Sequence, residues 1–102
     1  MGKYVFVYKD GATPTSEAEG AKVMEAWMGW FGTLGAAVVD GGNPFGGSTA
    51  VKSNGSIGAA TTGLGGYSIV SADSLSAAAT LAKGCPVLAA GGSVEIFEAQ
   101  DM

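Results

Sequence analysis

Residues 61–70 have the sequence TTGLGGYSIV, and the order of its two halves decides the fold. A phosphate-binding loop leaves a strand and enters a helix, so that the amino end of the helix meets the anion. Here the glycines come first and lead into a strand, and the third glycine of the G-x-G-x-x-G pattern is missing. The glycine-rich stretch at 41–47 likewise precedes no helix. We therefore expect these glycines to serve positive φ angles and close chain approach rather than nucleotide binding.

The segments around this stretch alternate between strand and helix patterns. The predicted order is a strand at 3–9, a helix from 16 to 34, a strand at 36–40, a hairpin-like middle, a strand at 66–72, a helix at 74–84 and a strand at 92–99. This order is typical of the split βαβ, ferredoxin-like plan within the α+β class. Right-handed crossovers then place both helices on one face of an antiparallel sheet.

The two helices carry recognisable start signals and apolar faces. Ser16 and Glu19 form a capping box, and Asp73 is expected to cap the second helix. The predicted core face of the first helix consists of Met24, Trp27, Met28, Phe31 and Leu34. An alternative is that Trp27 or Trp30 lines a pocket. The second helix has a small-residue face at Leu75, Ala78, Ala79 and Ala82, which predicts close packing on the sheet.

The first strand predicts a sheet with two apolar faces. Tyr4, Phe6 and Tyr8 point to one side, and Val5 and Val7 point to the other. Two helices cover one side only, so a second copy of the chain is the economical cover for the other. We expect a homodimer through the sheet face, burying on the order of 800 Å² per partner.

Composition limits the classes of function. The chain has 102 residues, which fits a single domain over 1–102, and its net charge is -4. Five scattered lysines make up its basic residues, which argues against nucleic acid as a partner. No apolar run is long enough for a membrane span, and the early strand leaves no room for a signal segment, so a cytoplasmic location is expected. Cys85 stands alone, which excludes an intrachain disulfide.

Several short motifs lie in a similar order to those of a known family. They are the opening KYVFVYKD, Leu64-Gly65-Gly66-Tyr67, the alanine-rich helix from Asp73 through Ala82, Cys85-Pro86, and Gly91-Gly92-Ser93-Val94-Glu95-Ile96. In these the chain resembles the YCII-related family, specifically its DGPF branch, over nearly its whole length. The resemblance implies a ferredoxin-like, dimeric α+β barrel fold.

The sequence departs from that family at its signature. An ungapped count from Leu64 places the family's Asp-Gly-Pro-Phe on Asn54-Gly55-Ser56-Ile57. Some relatives carry a His-Asp pair suspected of acid–base work, whereas this chain has no histidine. The DGPF motif is therefore degenerate, and an inherited activity is in doubt.

Few residues remain that could carry chemistry. A base would have to be a carboxylate or lysine with a shifted pKa, and Asp10 and Asp40, each at a strand end, are the best-placed carboxylates, although turn or capping roles explain both. Cys85 has no histidine partner and is expected to be a small buried hydrophobe. Tyr8, Trp27, Asn43 and Tyr67 are candidates to line a ligand pocket. We expect no metal and no cofactor, because no ligand cluster has the required spacing.

Three hypotheses about function follow. The favoured one is a non-catalytic homodimeric domain that binds a small apolar or aromatic ligand in a cleft between sheet and helices. The second is a lyase or isomerase acting on a small carbonyl or aromatic acid, with Asp10 or Asp40 as base and Tyr8 or Asn43 as donor. The third is an interaction module, since relatives are often encoded beside sigma factors, and no residue supports it directly. Whether the chain is an enzyme stays open at this point.

Overall fold

A computed structural model describes residues 2–12 and 14–101. The strands are β1 (Gly2–Lys9), β2 (Val38–Asp40), β3 (Ala50–Val51), β4 (Ile57–Gly58), β5 (Leu64–Ala72) and β6 (Ser93–Ala99). The helices are α1 (Glu17–Leu34), α2 (Leu75–Ala82) and the short α3 (Pro86–Ala89), and a 3₁₀ turn at Gly35–Ala37 follows α1. None of the helices in these ranges is both long and apolar enough to cross a bilayer.

The main sheet has four strands in the order β2-β5-β1-β6, and every neighbouring pair is antiparallel. With the helices on one face, this is the predicted ferredoxin-like α+β architecture. The two short strands β3 and β4 form a separate hairpin, as the glycine-rich middle of the sequence indicates. Leu64, Gly65 and Gly66 lie within β5 itself, so these glycines belong to a strand and precede no helix.

Alternation along β1 separates a covered face from an open one. Tyr4, Phe6 and Tyr8 are buried beneath the helices, whereas Val5 and Val7 are only half-buried on the other side. The molecule is 19 Å thick along its shortest axis, which is the depth of one helix layer on one sheet. Nothing in the described part of the chain forms a third layer.

Helix α1 packs on the sheet through part of its predicted face, together with Trp30. Trp30 is its one buried residue and Trp27, Phe31 and Leu34 pack beside it, whereas Met24 and Met28 are 64% and 69% exposed. At 100° per residue, the stripe that contains Trp30 turns both methionines away from the sheet. The prediction of core positions for Met24 and Met28 was therefore wrong.

The helix ends agree with the sequence signals in part. Ser16 accepts the N–H of Glu19 at 3.1 Å, but the carboxylate of Glu19 returns to the N–H and hydroxyl of Thr15 rather than to Ser16. These hydrogen bonds lower the pKa of Glu19. Helix α1 ends at Leu34 with Gly35 as its C-cap, in agreement with the predicted role of Gly35.

Helix α2 lies against the sheet through its alanines. Ser74, not Asp73, is its N-cap, because the Ser74 hydroxyl accepts the N–H of Ala77 at 3.0 Å. Ala78 and Ala82 are buried, which agrees with the predicted small-residue face, whereas Leu75 is exposed.

Candidate functional site

A large cleft lies between α1 and the covered face of the sheet. Its volume is about 1400 Å³. Helix α1 contacts the sheet mainly through the rings of its tryptophans and Phe31. The cleft is the space beside these rings. The walls come from residues 8–12, residues of α1 between Lys22 and Thr33, the loop 41–44, residues 63 and 65–68, and residues 83–90.

The floor of the cleft is aromatic. The rings of Tyr8 and Trp27 meet edge to face with centroids 4.8 Å apart, and Trp27 meets Trp30 in the same way at 5.7 Å. Phe31 packs against both indoles, at 6.0 Å from Trp27 and 5.1 Å from Trp30. Trp30 is buried, and its Nε1–H donates to the carbonyl of Leu81 at 3.2 Å. Trp27 and Phe31 are half-buried and line the cleft, so their rings are the parts of this cluster that a ligand could cover.

A chain of hydroxyl groups lies at the inner end of the cleft. The Tyr8 hydroxyl donates to Ser68 Oγ at 2.8 Å, and Ser68 Oγ donates to the carbonyl of Gly41 at 2.7 Å. Ser68 is fully buried and Tyr8 is 8% exposed. Burial raises the pKa of the Tyr8 phenol to about 12, against the opposing effect of the hydrogen bond to Ser68. Tyr8 is therefore a neutral phenol at any physiological pH.

Close packing of the loop 41–44 on β5 holds this chain together. The φ of Gly42 is +73°, and a Cβ there would overlap the carbonyl oxygen of Tyr67. A Cβ on Gly66 would meet the carbonyl oxygen of Asn43 at 3.0 Å. Asp40 closes the turn before the loop, because its Oδ1 accepts the N–H of Gly42 at 2.8 Å. The glycines thus let one backbone lie on another and bring the Gly41 carbonyl to Ser68.

The predicted ligand residues lie at different depths. Tyr8 and Trp27 are at the floor of the cleft, and the exposed Asn43 is at its rim. Tyr67 is also among the residues that line the cleft. Alternation along β5, however, puts its ring on the open side of the sheet, together with its cross-strand partner Val7. There it stacks on Phe45 at 5.8 Å, away from the Tyr8 ring.

The two candidate carboxylates are both exposed to solvent. Asp10 stands at the mouth of the cleft, with a φ of 60°, just after β1 ends. Asp40 accepts the N–H of Gly42 within its own turn and does not line the cleft. Neither is held against apolar walls, which is the environment that a carboxylate base near neutral pH requires.

Two further residues complete the description of the cleft. Cys85 is buried on its wall, and burial raises the pKa of its thiol to about 11, so it behaves as a small hydrophobe. Ser68 is a cleft residue that sequence reasoning missed. The sequence could have indicated it, because Ser68 is a polar residue at one of the alternating buried positions of β5, between Gly66 and Val70. Residues 2–12 and 14–101 contain no group of three or more potential metal ligands.

Comparisons with known proteins bear on the fold. The chain resembles the solved structure of 5-chloro-2-hydroxyhydroquinone dehydrochlorinase from Burkholderia phenoliruptrix AC1100, in complex with 2,5-dihydroxybenzoquinone. The sequence identity is 18% and the TM-score 0.60, over 96% of this chain and 93% of that one. The likeness establishes a shared α+β fold. No protein-family model matches the chain, nor does any curated protein sequence.

Proposed function

We propose that the protein binds a small aromatic molecule in the cleft between α1 and the sheet, without catalysing its conversion. The observation that carries this proposal is the half-buried Trp27 ring beside the Tyr8–Ser68 hydroxyl pair. Apolar walls with a few convergent polar groups are typical of small-molecule sites. Tyr8 and Trp27 both line the cleft, so a ring that contacts Trp27 would lie next to Tyr8.

The volume of the cleft and a structurally similar protein both support a small aromatic ligand. Its volume of about 1400 Å³ exceeds what a single aromatic ring needs. The structurally similar dehydrochlorinase was solved with 2,5-dihydroxybenzoquinone, an oxygenated ring of this size. We also propose that the chain is a degenerate member of the YCII-related family, a proposal supported by the motifs at residues 64–67 and 91–96. The missing histidine favours binding over catalysis.

We further propose that the protein is a homodimer through its open sheet face. Val5, Val7 and Ile69 are half-buried there, and Phe97, opposite Val5, is 54% exposed. Lys9 and Glu95 form an ion pair of 3.7 Å at one end of this face. An apolar centre with paired charges beside it is the composition of a protein interface.

The binding proposal is tested by titrating the protein with p-cresol while recording tryptophan fluorescence. We expect saturable binding, and about fivefold weaker binding by Trp27→Leu, the factor for about 1 kcal/mol of aromatic contact. Met28→Ala, which changes an exposed α1 residue outside the cleft lining, is the matched control and should bind as the wild type does. Absence of saturable binding up to the solubility limit of p-cresol would contradict the proposal.

A second candidate is the lyase or isomerase hypothesis, for which one observation exists. Among the described residues that line the cleft, Asp10 carries the one carboxylate. Proton abstraction next to a carbonyl is detected as exchange of the methylene protons of phenylpyruvate in D₂O, followed by NMR. An enzyme of this kind would accelerate exchange above the buffer rate, and Asp10→Asn would abolish the acceleration. Equal rates with and without protein would eliminate this candidate.

A further inference from the structure

The direction of the hydroxyl chain is fixed at its buried end. The carbonyl oxygen of Gly41 has no proton and can only accept, so Ser68 must donate its single proton to it. Ser68 Oγ then meets the Tyr8 hydroxyl with lone pairs alone. Because the two oxygens are 2.8 Å apart, the proton between them has to come from Tyr8.

Because of this direction, Tyr8 can only accept a hydrogen bond from a ligand in the cleft. A phenol has a single proton, and that of Tyr8 is used on Ser68. Turning the proton toward a ligand would leave two oxygens facing each other through their lone pairs, with Ser68 fully buried and out of reach of water. Burial also keeps the phenol protonated, since it raises the pKa of Tyr8 to about 12.

We propose that the cleft selects ligands that bring a hydrogen-bond donor, such as a phenolic or other neutral hydroxyl group, to the free lone pair of Tyr8 Oη. This inference rests on the proposed function, whose ligand class it narrows. Rings that carry acceptors only, such as nitriles or carbonyl groups, find no donor in Tyr8. The same direction excludes Tyr8 as a general acid, because its proton is held on the side of Ser68.

Three probes of nearly equal size separate the alternatives: p-cresol carries a donor, p-tolunitrile an acceptor alone, and 4-fluorotoluene neither. Calorimetry on the full chain should give p-cresol the tightest binding by roughly three- to tenfold, the factor for about 0.7 to 1.4 kcal/mol, with the other two alike. Hydrophobic contact alone would instead favour 4-fluorotoluene over the more polar p-cresol. The order of affinities therefore decides the question independently of their absolute size.

Tyr8→Phe removes the lone pair and keeps the ring. We expect this variant to lose the preference for p-cresol while it still binds 4-fluorotoluene, and circular dichroism checks its fold. If p-tolunitrile equals or exceeds p-cresol on the wild-type protein, the cleft does not select for a hydrogen-bond donor and the inference is overturned, although the proposed function stands. Failure of all three probes to bind would instead remove the proposed function. The wild-type series decides even if Tyr8→Phe does not fold.

Discussion

Tyr8 is the residue at which packing and chemistry meet. Its ring packs in the aromatic cluster with Trp27 and Trp30, and its buried hydroxyl donates a hydrogen bond to Ser68 Oγ. Sequence patterns identify such a residue as buried, because it alternates with Val5 and Val7 in a strong strand. They cannot identify its partner, since Ser68 lies 60 positions away and meets Tyr8 only through the register of β1 with β5.

The raised pKa of Tyr8 predicts a dependence of stability on alkaline pH. The pKa is about 12 in the folded state and about 10 in the unfolded state. Below pH 10 both states keep the proton, so the contribution of Tyr8 to stability is complete. Between about pH 10 and pH 12 the unfolded state loses the proton first, so the free energy of unfolding falls as pH rises.

Urea unfolding of the wild type and of Tyr8→Phe at a series of pH values measures this effect. We expect the free energy of unfolding of Tyr8→Phe to decline less steeply than that of the wild type between about pH 10 and pH 12. Cys85, whose thiol has a pKa of about 11, is present in both proteins and contributes to the decline of both curves. Parallel curves would show that the phenol is not desolvated in the folded state.

At the scale of elements, the sequence predicts the order and type of the main strands and helices but not their fine placement. The β1 and β5 patterns are strong because both alternate against a single covered face. Helix α1 is broadly apolar, so the periodicity of its sequence fits several faces, and the tertiary contact of Trp30 chooses among them. The turn α3, four residues long, has no periodic signal at all.

The loop 41–44 is the element on which the cleft depends most. Its position follows from glycines whose importance is visible only once the loop lies on β5. We expect Gly42→Ala to destabilise the protein by about 2 to 4 kcal/mol, because the new methyl group would overlap the Tyr67 carbonyl and the backbone has a positive φ.

Gly41→Ala is the matched control for this loop. A Cβ on Gly41 has no atom within 4 Å, so its effect should stay within about 0.5 kcal/mol. Urea unfolding of both variants provides the comparison. Equal stability of the two variants would mean that the loop does not pack on β5 as described.

At the scale of the whole molecule, the open sheet face is the main feature. A two-helix layer covers one side of a four-stranded sheet, and the 19 Å thickness shows that no further layer is present in the described ranges. The sequence already indicates the imbalance, because β1 is apolar on both faces. It cannot indicate the shape of the covering partner.

The proposed homodimer predicts opposite effects for two similar substitutions. Phe97→Lys places a charge on the open face, whereas Met28→Lys places one on the outer side of α1. Both positions are exposed in the single chain, so neither substitution should unfold it. In sedimentation velocity we expect dimers for the wild type and Met28→Lys, and at least partial dissociation for Phe97→Lys. A wild-type monomer at micromolar concentration would contradict the proposal.

The central claim is that the cleft between α1 and the sheet is a ligand site. Its most direct test is an NMR titration of ¹⁵N-labelled protein with p-cresol, because the two tryptophans give two separate indole signals. We predict a saturable shift of the Trp27 indole and of the backbone amides of Tyr8, Gly66 and Ser68. The Trp30 indole, bound to the Leu81 carbonyl, should move much less. Shifts confined to the open sheet face around Val5 and Phe97, or no saturable shift at all, would contradict the account.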